Sequence, residues 1–548
     1  MTRARPAAPS GWTRPATVAL AAVPLVALAV FFVYPVAGML ARGLWPDGTF
    51  SPSAVLEVLG RPRVHRVLWF TLWSAVAATL LSLVLGLPVA YVLYRLRFPG
   101  REVARALVVV PFVLPTVVVG VAFRQLIVPG GPLGGLGLDG TAWAILAAMV
   151  FFNVGVVVRT VGSFWEALDP RREEAAAALG ASPWQVLRTV TVPALLPGVV
   201  SSASVVFLFC ATAFGVVLTM GGLRYSNVET EIYLLTTQEL DLTGAAALSI
   251  LQLVVISVLL VLAGRTRRTA VPLDRSARRT PRPGPRDVPA LVWTALVSVF
   301  LAAPIVTLVL ASLRRDGQWG LMNYRDLGTT GARNALLVPA SQALLNSLEI
   351  ALVAAAMALA LGGIVAFLVT RSTGRLAGLV DGVFMLPLGV SAVTVGFGFL
   401  ITLDKPPLDL RSSLVLVPIA QAMVALPLVV RTVAPVLRSV DDRQRQAAAT
   451  LGAGPLRVLL GVDLPVAWRA LLAAAGFAFA VSLGEFGATS FLATEDHPTL
   501  PVVIYRLIDY PGAANFGMAM AGSVVLAGAT TLVMLLVQRL RVGSFGSL

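Results

Sequence analysis

The sequence predicts an all-α integral membrane protein with about twelve membrane-spanning helices, arranged as two duplicated six-helix halves. Composition, the spacing of apolar runs and an internal repeat support this fold class. Of the 548 residues, 57% are hydrophobic and 13% are charged, whereas an ordinary soluble domain has about 25% charged residues. The mean hydropathy is +0.86. A single water-soluble core cannot bury this apolar excess, so most of the chain must face lipid.

Apolar runs long enough to cross a membrane recur along the whole chain. A helix needs about 20 mostly apolar residues to span roughly 30 Å of hydrocarbon. In the first half the predicted spans are 17–41, 67–94, 104–128, 141–163, 193–222 and 243–264. In the second half they are 289–313, 342–370, 376–403, 411–435, 465–493 and 514–538. We treat the first run as a retained helix, because it lacks a small-residue cleavage site before a soluble domain.

Basic residues predict the orientation of these spans. The N-terminus and the loops after spans 2, 4, 6, 8, 10 and 12 hold about 26 of them, against about 11 in the alternate loops, which places both termini in the cytoplasm. The net charge of +15 is spread between apolar runs, and this pattern does not indicate nucleic-acid binding. A basic, proline-rich linker, 265–288, separates a first domain, 1–264, from a second, 289–548.

Few side chains could carry redox or metal chemistry. The two histidines, His65 and His497, and the single cysteine, Cys210, cannot build a zinc site, a disulfide or a haem pair by themselves. The one lysine, Lys405, does not complete a G-x-x-x-x-G-K-[ST] phosphate loop. We therefore expect no cofactor and no metal, and any ATP dependence must come from a partner.

An internal repeat relates the two halves. Four short matches share an offset of 272 residues: Arg159-Thr160-Val161 with Arg431-Thr432-Val433, Leu114-Pro115 with Leu386-Pro387, Phe214-Gly215 with Phe486-Gly487, and Ile232-Tyr233 with Ile504-Tyr505. Because each half has an even number of spans, both have the same orientation, and a pseudo-twofold axis along the membrane normal is expected. A pathway between the halves follows from that arrangement.

The loop between the fourth and fifth spans predicts two short helices joined at a glycine. Asp169 is a good N-cap with Pro170 at the first helical position, and Gly180 permits a left-handed turn. Ser182 and Gln185 form a possible capping box for the second helix. The second half repeats this loop, and the spacing from Gly to Pro is 13 residues in both copies.

This repeated pattern resembles the EAA loop, E-A-A-x-x-x-G with a later I-x-L-P, of permease subunits of ATP-binding-cassette importers. In that family the loop is a coupling helix that docks in a groove of a separate ATPase subunit. The resemblance implies ATPase contacts at Glu174, Ala175, Ala176 and Gly180 in the first copy and at Gln446, Ala447, Ala448 and Gly452 in the second. Gln446 replaces the expected glutamate, which implies a weaker charged contact there. The alternatives are a helical hairpin that merely connects spans, or a false helix-turn-helix match.

The same resemblance implies the remaining parts of the transporter. Two copies of the ATPase and an extracytoplasmic substrate-binding protein are the expected partners, besides the lipid bilayer, and the bacterial inner membrane is the expected location. The chain itself is then a transport subunit and not an enzyme.

The eleventh span offers a substrate hypothesis. Glu485, Phe486 and Gly487 place a carboxylate near membrane depth, and this stretch resembles the corresponding span of thiamine, molybdate and sulfate importer permeases. Two fused domains narrow the resemblance to thiamine and ferric-iron permeases, and the latter usually carry E-L-P-A-T-L here, so thiamine is favoured over ferric iron or an oxyanion. Phe214 and Gly215 are the matching pathway candidates. Glu485 is alternatively a structural acid, and Ala213 takes its place in the first half.

Two other classes of protein compete with this hypothesis. A secondary active carrier can also have two six-span halves, but it commonly has a Gly-Asp-Arg-rich motif between spans 2 and 3 and several acids at depth, and 95–105 lacks that motif. A membrane-embedded enzyme needs a cluster of histidines, carboxylates or a nucleophile with its base, which two histidines in unrelated loops do not supply.

Overall fold

The computed structural model describes residues 14–45, 48–222, 224–266, 281–371, 390–404 and 408–540, together with positions 382, 384, 387 and 406. Lys405, Leu386, residues 267–280 of the predicted linker and most of the first part of the predicted ninth span lie outside the described residues.

The first half is helical, and its longest helices are interrupted by short breaks. Its α-helices are α1 (Arg14–Leu28), α2 (Tyr34–Leu44), α3 (Pro52–Gly60), α4 (Pro62–Arg95), α5 (Arg101–Val113), α6 (Thr116–Ile127), α7 (Ala142–Ala167), α8 (Pro170–Ala178), α9 (Pro183–Val186), α10 (Val192–Ala211), α11 (Phe214–Gly221), α12 (Val228–Thr237) and α13 (Leu242–Thr266). π-Helical stretches, Ala29–Val33 and Leu187–Thr191, join α1 to α2 and α9 to α10.

The second half follows the same plan. Its α-helices are α14 (Val288–Ser312), α15 (Met322–Arg325), α16 (Ala340–Arg371), α17 (Ala392–Thr402), α18 (Leu416–Ser439), α19 (Asp442–Thr450), α20 (Pro455–Val458), α21 (Leu464–Leu483), α22 (Thr489–Leu492), α23 (Leu500–Asp509) and α24 (Ala513–Leu540). A small hairpin of β1 (Arg314–Arg315) and β2 (Gln318–Trp319) follows α14. A third π-helical stretch, Leu459–Asp463, joins α20 to α21.

The all-α membrane fold is confirmed, and two predicted spans are displaced. Among the described residues, ten helices are long and apolar enough to cross a membrane, and α5 with α6, bent by 100°, is an eleventh candidate. The predicted spans 193–222 and 465–493 are wrong at both ends, since the continuous helices run over Pro183–Ala211 and Pro455–Leu483. The first begins three residues after Gly180 and the second three residues after Gly452, and both end at a helix break that precedes α11 or α22.

The two halves repeat element by element. The helices α8, α10 and α12 match α19, α21 and α23 with identical lengths at an offset of 272 residues. In the preceding part of each half the offset is 276, since α4 ends at Arg95 and α16 at Arg371. The connection between the third and fourth spans is therefore shorter in the second half.

This change of offset corrects one predicted match. The helix α6 follows Pro115, and α17 follows Ser391. Ser391 therefore takes the place of Pro115, and the predicted equivalence of Leu114-Pro115 with Leu386-Pro387 is wrong. The short Leu-Pro match arises by chance because apolar sequence repeats such pairs often.

The first span of each half packs against the other half. The helices α1 and α2 contact α16 and α17, and α14 contacts α4 and α6. Tyr91 Oη donates to Asp287 Oδ1 at 2.7 Å, and Trp293 Nε1 donates to the Leu85 carbonyl at 3.3 Å. The two sets of contacts are equivalent, because α16 corresponds to α4 and α17 corresponds to α6. Each half therefore packs its first span against the other half.

Glycines allow the second and fourth spans of each half to approach closely. A Cβ atom at Gly86 would lie 2.8 Å from Val157 Cγ1, and one at Gly362 would lie 2.8 Å from Val429 Cγ1. Both pairs occupy matching places in α4 and α7 and in α16 and α18. Because lipid removes most of the hydrophobic drive between helices, such close packing is a main source of their association energy.

We predict that Gly362→Leu destabilises the protein by about 1–3 kcal/mol, because the added side chain overpacks this contact. Gly363→Leu is the matched control, since a Cβ atom there meets no heavy atom within 4 Å. The midpoint of thermal unfolding in detergent should fall for the first variant and stay near the wild-type value for the second. Equal midpoints for the two variants would contradict the close helix contact.

Candidate functional site

We call residues 169–185 and 441–457 the coupling loops. In the first of them, the predicted caps and the predicted glycine turn are all formed. Asp169 caps α8, its Oδ1 accepting from the Arg171 N–H at 3.0 Å. Gly180 has φ +88°, a left-handed value that disfavours any side chain. Ser182 and Gln185 form the predicted capping box, with bonds of 3.4 and 2.8 Å. These three features fix the direction in which the chain leaves α8 and enters α9.

The second loop repeats this geometry, with one general correction. Asp441 caps α19 through the Arg443 N–H at 2.9 Å, and Gly452 has φ +80°. The prediction of two short helices is wrong in both loops, because only α8 and α19 are short. The helices α9 and α20 are the first turns of long helices that continue through a π-helical stretch into α10 and α21.

The residues predicted to contact an ATPase lie on the surface of these loops. Glu174, Ala175, Gly180, Gln446, Ala447 and Gly452 are exposed, and Ala176 and Ala448 are partly exposed.

Large apolar side chains stand beside them. Leu179 and Leu451 are 89% and 88% exposed at matching places, and Trp184 and Leu456 are exposed in the following turn. Clustered exposed apolar groups are typical of protein or membrane interaction sites. These four side chains were not among the predicted contact residues, although a leucine directly precedes the glycine of each loop in the sequence.

A charged network ties the first coupling helix to its own half. Glu173 on α8 forms an ion pair with Arg95, the last residue of α4. The other carboxylate oxygen of Glu173 accepts from Thr191 Oγ1 at 2.8 Å. Three segments of the first half, α4, α8 and the π-helical stretch before α10, therefore meet at one carboxylate.

The second half builds the same network with the charges exchanged. Asp463 takes the place of Thr191 and Arg445 the place of Glu173, and Asp463 accepts from Arg445 Nε at 2.8 Å and pairs with Arg371. Burial alone would lower the pKa of the Arg445 guanidinium, but the hydrogen bonds to Asp463 and Asp442 raise its pKa above the ordinary value. We call the two networks the loop clamps, Arg95–Glu173–Thr191 and Arg371–Asp463–Arg445.

The fifth span of each half breaks at the pathway residues. In the first half α10 ends at Ala211 and α11 begins at Phe214. In the second half α21 ends at Leu483, and the buried Glu485 accepts from the Ala488 and Thr489 N–H groups at 2.7 and 3.1 Å. Glu485 thus caps the turn that follows the break, which is the geometry of the structural alternative.

Glycines next to these breaks allow close approach to the third span. A Cβ atom at Gly215 would lie 2.4 Å from Thr116 Oγ1, and one at Gly487 would lie 3.1 Å from Ala392 Cβ. Thr116 and Ala392 are the first residues of α6 and α17. Both breaks are therefore fixed against matching helix starts.

Four aromatic rings join the halves at these breaks. Phe214 and Phe486 stack with ring centroids 5.3 Å apart and an interplanar angle of 27°. Tyr233 packs on Phe214 at 5.4 Å, and Tyr505 packs on Phe486 at 5.7 Å. We call these four residues the aromatic cluster. It brings together the predicted pathway residues of both halves, as a pseudo-twofold arrangement requires.

Comparison with known proteins agrees with this architecture. The family model described as "Binding-protein-dependent transport system inner membrane component" matches the chain twice, over residues 82–268 and 358–542. The chain is 28% identical over 518 residues to the thiamine transport system permease protein ThiP of Brucella abortus, covering 89% of this chain and 91% of that protein. It is 26% identical over 524 residues to the ThiP protein of Escherichia coli, with coverages of 92% and 93%.

A third relative covers about a third of the chain. The sulfate transport system permease protein CysT of Escherichia coli is 35% identical over 201 residues, which is 35% of this chain and 73% of that protein. The two family matches confirm the internal duplication and the resemblance to importer permeases. The chain is a transport component of the inner membrane with many spans, and it belongs to the family of binding-protein-dependent transport system inner membrane components.

Proposed function

We propose that this chain supplies both transmembrane domains of an ATP-driven importer for thiamine or its phosphates. The observation that carries the proposal is the pair of matching coupling loops, each tied to its own half by a loop clamp. Thiamine is supported by the likeness to thiamine transport permeases over 89% of the chain. The first domain extends over 1–264 and the second over 289–548, with the linker 265–288 between them.

The coupling loops are the docking sites for two copies of a separate ATPase. Glu174, Ala175, Ala176 and Gly180 contact one copy, and Gln446, Ala447, Ala448 and Gly452 contact the other. The exposed Leu179 and Leu451 supply apolar area that these contacts bury. Both loops and both termini then lie in the cytoplasm, and an extracytoplasmic binding protein delivers substrate to the opposite face.

The loop clamps transmit the movement of the ATPase pair. In each half a carboxylate connects the coupling helix to the end of the second span and to the start of the fifth. A partly buried ion pair resists separation, because breaking it leaves a charge without a partner. When the ATPase copies close on ATP, each clamp therefore moves these spans with its coupling helix as one body.

The pathway runs between the halves at the aromatic cluster. It is lined by Phe214, Gly215, Phe486 and Gly487. Glu485 accepts from the Ala488 N–H and so fixes the backbone turn that carries Phe486. Aromatic faces attract cations, which suits the permanent positive charge of the thiazolium ring. Sulfate is the second candidate substrate, because 201 residues of this chain are similar to a sulfate transport permease, and ferric iron is the third.

We predict that cells lacking this chain lose uptake of radiolabelled thiamine and keep uptake of radiolabelled sulfate and ferric iron. Returning the gene should restore thiamine uptake, and unlabelled thiamine should compete with it. Loss of sulfate or iron uptake alone would change the substrate and leave the importer class intact. Unchanged uptake of all three labels would contradict the proposed substrates.

We also predict that Gly452→Ala uncouples ATP hydrolysis from uptake, because an alanine side chain disfavours φ +80° by about 1–2 kcal/mol and redirects the loop. In proteoliposomes with the ATPase and the binding protein, thiamine imported per ATP hydrolysed should fall severalfold. The matched control is Gly454→Ala in the same loop, where φ is −67° and a Cβ atom meets nothing within 4 Å. Equal coupling in both variants would refute the role of this loop.

A further inference from the structure

Two buried contacts between the halves occupy matching places but differ in chemistry. The helix α12 packs against α17, and its counterpart α23 packs against α6. Four polar side chains meet at or beside the contact between α12 and α17: Glu229, Gln252, Ser391 and Thr394. At the offsets that relate the halves, their counterparts are all apolar: Pro501, Val524, Pro115 and Val118.

The four polar side chains close a ring of hydrogen bonds across the interface. Gln252 Nε2 donates to Glu229 Oε1, and Ser391 Oγ donates to Glu229 Oε2 at 2.9 Å. Thr394 Oγ1 donates to Gln252 Oε1 at 3.1 Å, and the Thr394 N–H donates to Ser391 Oγ at 3.0 Å. Glu229 and Gln252 belong to the first half, and Ser391 and Thr394 belong to the second. We call this arrangement the interface ring.

Glu229 is buried, and Gln252 and Ser391, which donate to its carboxylate, are both neutral. Its residue is 0% exposed, and among the described residues no arginine, lysine or histidine forms an ion pair with its carboxylate. By contrast, Glu231 on the same helix pairs with Arg63 Nε at 2.6 Å. A carboxylate that is desolvated and held only by neutral groups is costly to the folded state.

Packing does not require this carboxylate. The contact between α23 and α6 joins the same kinds of helices with Pro501, Val524, Pro115 and Val118 in the matching places. The contact between α23 and α6 therefore shows that the two helices can pack with apolar residues in all four places. A costly acid kept on one side only is expected where it serves a function rather than the fold.

The bonding of Glu229 also differs from that of Glu485, a buried acid beside Phe486. The oxygens of Glu485 accept from backbone N–H groups of its own turn, so they stay occupied in any arrangement of the halves. One oxygen of Glu229 depends on Ser391 in the opposite half. When α12 separates from α17, that oxygen loses its donor and faces the opened space.

We infer that Glu229 is the residue that binds the positive charge of the substrate when the halves separate, with Gln252 beside it as a hydrogen-bonding group. The inference rests on the proposed function and names the cation contact of that pathway. Asn227 Nδ2 donates to the Ala213 carbonyl at 2.7 Å, which holds the start of α12 against the break that carries Phe214. A bound cation thus meets a carboxylate and an aromatic ring from the same half.

The test measures ATP-dependent thiamine uptake by proteoliposomes that contain the permease, the ATPase and the binding protein. Glu229→Gln keeps the size of the side chain and removes its charge, and it should lower the uptake rate at least tenfold. The double variant Glu229→Gln with Gln252→Glu keeps one carboxylate in the interface ring and should recover a substantial part of the rate. Thermal unfolding midpoints of all variants establish that they are folded.

The double variant Ser391→Ala with Thr394→Val distinguishes a contact with the substrate cation from hydrogen bonds that only hold the two halves together. These changes give the second-half side of the contact the apolar character of Pro115 and Val118 and leave Glu229 in place. Uptake should remain at half or more of the wild-type rate. Equal loss in this variant and in Glu229→Gln would assign the ring a structural role and overturn the inference. Wild-type uptake with an unaffected Glu229→Gln variant would overturn it as well, whereas a wild type that imports no thiamine would overturn the proposed function.

Discussion

The architecture depends on satisfying the backbone where each fifth span breaks inside the membrane. Lipid offers no hydrogen bonds, so the groups freed by a break need partners within the protein. In the first half Asn227 donates its side-chain N–H to the Ala213 carbonyl, and in the second Glu485 accepts from two N–H groups. These bonds hold Phe214 and Phe486 at the interface, where their stacked rings close the space between the halves.

Duplication followed by divergence explains the asymmetry of these solutions. In the first half the side chain that bonds to the backbone at the break is Asn227, in the loop before α12. In the second half it is Glu485, which lies in the break itself. The loop clamps exchange charges in the same way, with Glu173 and Arg445 at matching places on the coupling helices. The geometry of each half is retained while the residues that produce it change. The interface ring is the exception, since its polar chemistry has no counterpart in the other half.

Local signals in the sequence predicted the coupling loops well, and long-range contacts could not be predicted. Asp169, Gly180 and Ser182 act on neighbours within a few residues, so their roles follow from spacing. Arg95 lies 78 residues from Glu173, and Arg371 lies 92 residues from Asp463. Ser391 lies 162 residues from Glu229. The predicted starts of the two fifth spans were wrong, because π-helical stretches join α10 and α21 to the helical turns that precede them. Glu229 was not predicted as a site residue, although Pro501 at the matching place in the second half shows this asymmetry in the sequence.

The halves must separate at the aromatic cluster during transport, and one cross-link tests this movement. Phe214→Cys and Phe486→Cys in a Cys210→Ala background place two thiols where the rings now stack. A short, reducible bis-methanethiosulfonate reagent should join them and abolish ATP-dependent thiamine uptake, and a reductant should restore uptake to the level of the double variant before treatment. Uptake by the cross-linked protein at the rate of the untreated variant would contradict the account.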